Sequence, residues 1–283
     1  IEGTYQAFKE IINNSTDEAI AGYGNKIEIA VSENSNSVVI RDYGRGVPFG
    51  VRDDGENVLV SIYSKSHTGG KFEAGAYKNS SGLNGIGAKC VCLSSVEFEV
   101  ESFRDGIGAH ASFKKGELQE YIERPTKQPN GTWIKFTPDS EVFKNGEIGY
   151  SYDRICKEIH DISYLYSGLT FIITNADTKK SVTYCAKNGI QDFIKDNIEK
   201  PLHQHIIHEE VTDGTDKIEI AFQWGGGKEN GYVFVNGLCC PEGGSPITGA
   251  KSAITRTFNS QSGQNFDGGS GQKPHHTEKA EKC

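Results

Sequence analysis

Glu10, Asn14, Asp17 and Glu18 fall at i, i+4, i+7 and i+8, so on a helix they share one face while the neighbouring isoleucines occupy the other. An acidic stripe of this kind is often only solvated. Asn14, however, is a poor helix former placed beside Asn13 in mid-helix, where solubility alone would favour Glu or Lys. The second group is Asp42-Tyr43-Gly44-Arg45-Gly46-Val47-Pro48, directly after strand-like sequence. Its glycines let backbone approach a ligand, and a carboxylate at a strand end can accept a hydrogen bond from an exocyclic amine. A plain turn is the other reading. The third group runs through Gly69-Gly70-Lys71-Phe72 and Tyr77-Lys78-Asn79-Ser80-Ser81-Gly82-Leu83-Asn84-Gly85-Ile86-Gly87-Ala88-Lys89. Glycines before an apolar helix leave N–H groups free at its N-terminus, a geometry that binds phosphates. No Walker A loop is present, and the G-x-x-G-x-G order reverses the dinucleotide fingerprint.

The elements that must position these groups follow from periodicity. Phe8, Ile11, Ile12, Ala19 and Ile20 predict a helix over 5–22, stopped at Gly22 and Gly24. Strands are expected at 26–31 and 37–41 around a turn at Glu33-Asn-Ser-Asn36. After a short apolar stretch at 58–63, strands are expected at 96–103, 109–114, 118–122 and 132–137, with turns at Asp105-Gly106, Lys115-Gly116 and Asn130-Gly131. A helix over 153–166 precedes strands at 169–174 and 182–184, and a boundary is placed near residue 187. Beyond it come a helix at 190–198, strands at 218–224 and 232–236, and helical sequence at 250–258. No fixed-period repeat and no heptad pattern is visible.

Composition narrows the class. The chain has 283 residues, enough for two domains, with 35% hydrophobic residues, 24% charged residues and 34 glycines. No apolar run long enough to span a bilayer and no signal-peptide pattern occurs, so a cytoplasmic location without membrane contact is expected. A formal charge of -8 gives no basic footprint for nucleic acid. The seven cysteines form neither zinc knuckles nor a disulfide framework and read as buried free thiols. His203, His205 and His208 lack acidic or cysteine partners at metal-site spacing and read as surface histidines. The absence of methionine marks the chain as an expected fragment, and the polar tail 269–283 reads as a linker or tag.

Taken in order, Glu10-Ile-Ile-Asn-Asn14-Ser-Thr-Asp17-Glu18, Asp42-x-Gly-Arg-Gly46-x-Pro48, Gly69-Gly-Lys-Phe with Ser81-Gly-Leu-Asn-Gly-Ile-Gly87, and Gly131-Thr132-Trp-Ile-Lys-Phe resemble the ATP-site motifs of the GHKL superfamily, which joins gyrase B, Hsp90, MutL and histidine kinases. Pro241-Glu-Gly-Gly-Ser245 and Ala253-Ile-Thr-Arg-Thr-Phe-Asn259 are similar to bacterial type IIA topoisomerase B subunits, those of DNA gyrase and topoisomerase IV. The resemblance spans about residues 3–268. It implies an α+β fold, with a GHKL (Bergerat) ATP-binding α/β sandwich over 1–187 and a partial transducer domain of ribosomal S5 domain 2-like type over 188–268.

The same resemblance implies the roles of individual residues. Glu10 is expected as the general base and Asn14 as the ligand of Mg²⁺, with Asp17 on the same face. Asp42 is expected to hold the adenine amine with Thr132, Gly46 and Pro48 to shape the pocket, and Glu18 to pair with Arg45 at its rim. Lys71, Tyr77, Lys78, Gly82, Leu83, Asn84, Gly85, Ile86 and Gly87 are expected to wrap the phosphates of ATP as a lid. Asn13 stands where the family more often has Asp, and Asn84 where gyrase often has His. The family's Gln-Thr-Lys loop has no counterpart here, Thr277-Glu-Lys279 being a poor match, so binding with weak turnover is expected of this chain alone. The implied partners are a gyrase A-like or topoisomerase IV A-like subunit, DNA through the full complex, and a second copy on ATP binding. A nucleotide-binding switch, or another GHKL ATPase of chaperone or mismatch-repair type, is the alternative.

Overall fold

The computed structural model describes residues 2–64, 86–143, 148–214, 216–227, 230–235, 238–240 and 243–264. The chain divides into two compact units, Ile1–Asn197 with His205–Gln223, and Ile198–Gln204 with Trp224–Cys283.

The first unit opens with helix α1 (Glu2–Ile20), followed by strands β1 (Lys26–Ser32) and β2 (Ser37–Asp42), helices α2 (Val58–Tyr63) and α3 (Gly87–Leu93), and strands β3 (Ser95–Arg104), β4 (Ile107–Lys114), β5 (Glu117–Pro125) and β6 (Gly131–Pro138). Helix α4 (Tyr152–Ser163), strands β7 (Thr170–Asn175) and β8 (Ser181–Tyr184), helix α5 (Ile190–Asn197) and a hairpin of β9 (Ile207–Asp213) with β10 (Asp216–Phe222) complete it. Eight strands form one sheet in the order β5-β4-β3-β6-β2-β1-β7-β8. Every neighbouring pair is antiparallel except β1 and β7, which run parallel with Ile27 opposite Phe171.

Alternation makes this sheet one-sided. Ile27, Ile29 and Val31 of β1, Val38 and Ile40 of β2, and Ile134 and Phe136 of β6 turn inward and are buried. Helices α1, α2, α3 and α4 contribute Phe8, Ile11, Ile12, Leu59, Val91, Ile155 and Ile159 to the same core. Phe8, Phe98, Phe113, Phe136 and Phe171 are all among the fully buried side chains, each stabilising by roughly 1.5–3 kcal/mol relative to exposure. The Asp105-Gly106 and Lys115-Gly116 turns both carry positive φ at both residues, 52° and 84° then 50° and 78°. That conformation matches the twist of the flanking strands and closes β3–β4 and β4–β5 tightly.

The apolar stretch 58–63 is a helix, capped by Asn57, whose side chain accepts from the Val60 N–H at 3.1 Å. One expectation is corrected here, that of uniformly buried thiols. The thiols are free but not all buried: among the described cysteines Cys92 and Cys156 are buried while Cys90 and Cys185 are exposed.

In the second unit, β11 (Phe234–Val235) pairs with β12 (Leu238–Cys239), and α6 (Gly244–Gln264) carries Phe258 edge-on to Trp224 at 5.7 Å. His203 lies tilted against Trp224, with ring centroids 5.5 Å apart, and is half-buried, unlike the expected surface histidine. No group of three metal-ligating side chains occurs among the described residues, nor does any described helix have the length and apolarity to cross a membrane.

Candidate functional site

Asp42 ends β2 with its side chain on the inward face, and only 6% of the residue is exposed. Its Oδ1 accepts from the Gly44 N–H at 2.9 Å and from the Thr132 N–H at 3.1 Å. Register places Thr132 there, since β6 lies beside β2 and begins at Gly131. Ser15 Oγ on α1 donates to Oδ2 at 3.4 Å. Burial pushes the Asp42 carboxyl above the ordinary range, opposed by the two backbone N–H groups. A carboxylate so desolvated, with one oxygen turned toward α1, can accept a hydrogen bond from a ligand.

Glycines open the space beside it. A Cβ on Gly44 would lie 2.8 Å from Glu18 Cβ. One on Gly46, at φ +80°, would lie 2.7 Å from the Phe103 carbonyl oxygen. Glu18 meets Arg45 in a two-pronged pair, Nε to Oε2 at 3.0 Å and Nη2 to Oε1 at 2.7 Å, and also accepts from the Arg45 N–H at 3.0 Å. Burial raises the Glu18 carboxyl, but the Arg45 bonds outweigh it and leave the group below its ordinary value. Arg45 also lies over the Tyr23 ring at 4.1 Å. Pro48 is exposed at the rim.

Further along α1, Glu10 is half-buried and Asn14 is exposed one turn on. Gln6 Nε2 donates to Glu10 Oε1 at 2.9 Å. A Cβ on Gly87 would meet Glu10 Oε2, so a larger residue at the start of α3 would make the Glu10 carboxylate shift from its place between the two helices. Ile86, 51% exposed, is the N-cap of α3 and has no side-chain capping bond. The N-terminus of α3 thus lies beside Glu10, and helix N-termini in general suit anions.

The structure thus gathers Asp42, Thr132, Gly44, Gly46, Glu18 and Arg45 into one cluster, and brings Glu10 to Gly87. Asp17 sits half-buried on the same helix. Lys71, Tyr77, Lys78, Gly82, Leu83, Asn84 and Gly85 lie outside the described residues. Sequence reasoning missed Ser15, and also two braces of the glycine turn: Arg104 Nη1 donates to the Gly46 carbonyl at 3.0 Å and Ser102 Oγ to the Val47 carbonyl at 2.6 Å. Ser102 carried a faint signal as a hydroxyl at an inward position of β3, whereas Arg104 carried none.

A one-faced sheet covered by helices, with a buried carboxylate at a central strand end and a glycine-opened helix N-terminus nearby, defines a GHKL-type ATPase. Residues 1–142 match the histidine kinase-, DNA gyrase B- and HSP90-like ATPase family, and the chain belongs to that family. Residues 189–272 match the DNA gyrase B family. The chain is 32% identical to the B subunit of DNA topoisomerase 4 from Streptococcus pneumoniae over 263 residues, 91% of this chain and 40% of that protein. It is 32% identical to the B subunit of DNA gyrase from Thermus thermophilus over 272 residues, 92% of this chain and 42% of that protein. It therefore spans about two fifths of the length of these relatives. The 43K ATPase domain of Thermus thermophilus gyrase B, solved with an aminocoumarin, superposes with a TM-score of 0.81 at 27% identity, covering 98% of this chain and 72% of that one. The topoisomerase IV ATP-binding domain of Francisella tularensis, solved with a small-molecule inhibitor, gives 0.73 at 26% identity, covering 92% and 69%. Within its family the chain is a GHKL region of the gyrase B and topoisomerase IV B kind.

Proposed function

We propose that this chain binds ATP with Mg²⁺ and hydrolyses it, and that in the longer protein this drives subunit closure for DNA strand passage. The observation that carries the reading is the buried Asp42 carboxylate, fixed at Oδ1 by the Gly44 and Thr132 N–H groups, with Oδ2 turned toward α1 and met there by Ser15 Oγ at 3.4 Å. Such an acceptor suits the exocyclic amine of adenine. Gly46 and Pro48 shape the purine pocket, and the Glu18–Arg45 pair closes its rim. Glu10 is the general base of this proposal, and its place beside the α3 N-terminus, which suits phosphate oxygens, supports that role. Asn14 would hold Mg²⁺ through its exposed amide oxygen on the same helix face, a hard donor of the kind this ion takes. Bound there, the ion would neutralise charge on the phosphates. Lys71, Tyr77, Lys78 and the segment from Gly82 to Gly87 complete the proposal as a phosphate-wrapping lid, and Asp17 supports the same face. A gyrase A-like or topoisomerase IV A-like subunit, DNA, and a second copy on ATP binding are the partners proposed for the longer protein, in the cytoplasm.

The deciding experiment is calorimetric titration of a non-hydrolysable ATP analogue with Mg²⁺ into this chain and its Asp42→Ala variant. Saturable binding is expected for the first and none for the second. Equal affinity in the two would refute the site.

A further inference from the structure

The face of α1 that meets the sheet is apolar through Phe8, Ile11 and Ile12, then turns polar at Ser15 and Thr16, which are only 4% and 1% exposed. A buried hydroxyl in a helix usually bonds back to a carbonyl three or four residues earlier. Thr16 does this, donating to the Asn13 carbonyl at 3.0 Å. Ser15 does not: its hydroxyl points across the helix–sheet gap to Asp42 Oδ2 at 3.4 Å, a contact spanning 27 residues.

The two oxygens of Asp42 are thereby treated differently. Oδ1 is taken by the Gly44 and Thr132 N–H groups. Oδ2, the oxygen left to meet a ligand, has Ser15 as its protein donor among the described residues. We propose that Ser15 is a positioning residue for purine recognition, its hydroxyl holding Oδ2 of Asp42 in the orientation that accepts the exocyclic amine. This rests on the nucleotide reading above.

Burial works against the ionised carboxylate, so each donor that remains matters to its charge. Arg41 on β2 favours the charged form and Glu18 on α1 opposes it, while β6 offers the Thr132 N–H. Ser15 Oγ, 3.4 Å from Oδ2, is the side-chain hydroxyl beside this carboxylate, and a substitution can delete it without touching backbone.

The test is titration of the non-hydrolysable ATP analogue with Mg²⁺ into the unaltered chain, Ser15→Ala, Ser15→Thr and Asp42→Ala, at several pH values between about 4 and 8. Ser15→Ala is expected to bind about tenfold more weakly at neutral pH, as for loss of one bond to a charged acceptor. Its affinity should also begin to fall at a higher pH than that of the unaltered chain as acid is added. Ser15→Thr, which keeps the hydroxyl, should retain both affinity and pH profile. An unchanged affinity and profile in Ser15→Ala would overturn the assignment. So would equal weakening at every pH in both Ser15 variants, since that is the mark of packing alone. Binding by Asp42→Ala equal to the unaltered chain would bring down the nucleotide site itself, and this role with it.

Discussion

Asp42 is asked to do two things that oppose each other. As a ligand acceptor it must be ionised, yet its folded-state pKa lies above the unfolded one because burial disfavours the charge. The stability it contributes is therefore present at low pH and lost as pH rises through the folded value. At neutral pH the carboxylate is held at the expense of the fold. We expect Asp42→Asn to melt a few degrees above the unaltered chain at pH 7, with the gap closing toward pH 4, as differential scanning calorimetry would show. Glu18 has the opposite sign, its folded pKa being lowered by Arg45, so its contribution is present at neutral pH and fades as pH falls through the folded value. Glu10→Ala should leave analogue binding intact while abolishing phosphate release measured over a turnover assay; a variant that still hydrolyses ATP would remove Glu10 from the chemistry. At Gly131, with φ +135°, a Cβ would collide with the Asp42 carbonyl oxygen, so Gly131→Ala should cost about 2 kcal/mol or more by urea unfolding. Motif spacing and residue type singled out Glu10 and Asp42 in the sequence, and the structure sets Asp42 against Thr132 and Glu10 against Gly87. Ser15 and Arg104 were not singled out, because their partners, Asp42 and Gly46, lie 27 and 58 residues away.

The elements were legible where alternation was unbroken. Strands β3, β4 and β6 carry inward residues at every second position, and their Asp-Gly and Lys-Gly turns are explicit, so their extents follow closely from sequence. Strand β9 was missed because Ile207-His-Glu-Glu-Val211-Thr-Asp213 has only two β-branched aliphatic residues and three acidic ones; its strand character comes from pairing with β10. Helix α6 runs beyond the expected 250–258 in both directions, with Pro246 in its first turn, where a missing N–H does no harm. Residues 232–236 shrink to the two-residue strand β11. Helix α2 is short and depends on its ends. Asn57→Ala, which removes the cap on Val60, should lower stability by about 1 kcal/mol and Tm by roughly 2–4 °C without altering nucleotide affinity. A loss of affinity as large as that of Asp42→Ala would instead place α2 within the site.

At the scale of the whole molecule, a formal charge of -8 over 283 residues argues against a DNA-binding surface on this portion. Fluorescence anisotropy with a labelled duplex at physiological salt should show no saturable binding; a tight, salt-sensitive isotherm would contradict that. The parallel pairing of β1 with β7 has a consequence of its own. Ile27 meets Phe171, and Thr132 must reach Asp42 across 90 residues, so the strands that frame the site close the longest loops in the sheet. Such contacts form late, because loop entropy is spent before they reward it. On a ribosome, α1, β1 and β2 would emerge carrying Glu10 and Asp42 but with no competent pocket until β6 had followed, and with β1 left unpaired on one side until β7 was made. Nucleotide could then report on the completeness of the nascent sheet, binding only chains synthesised past the last strand that builds its cradle.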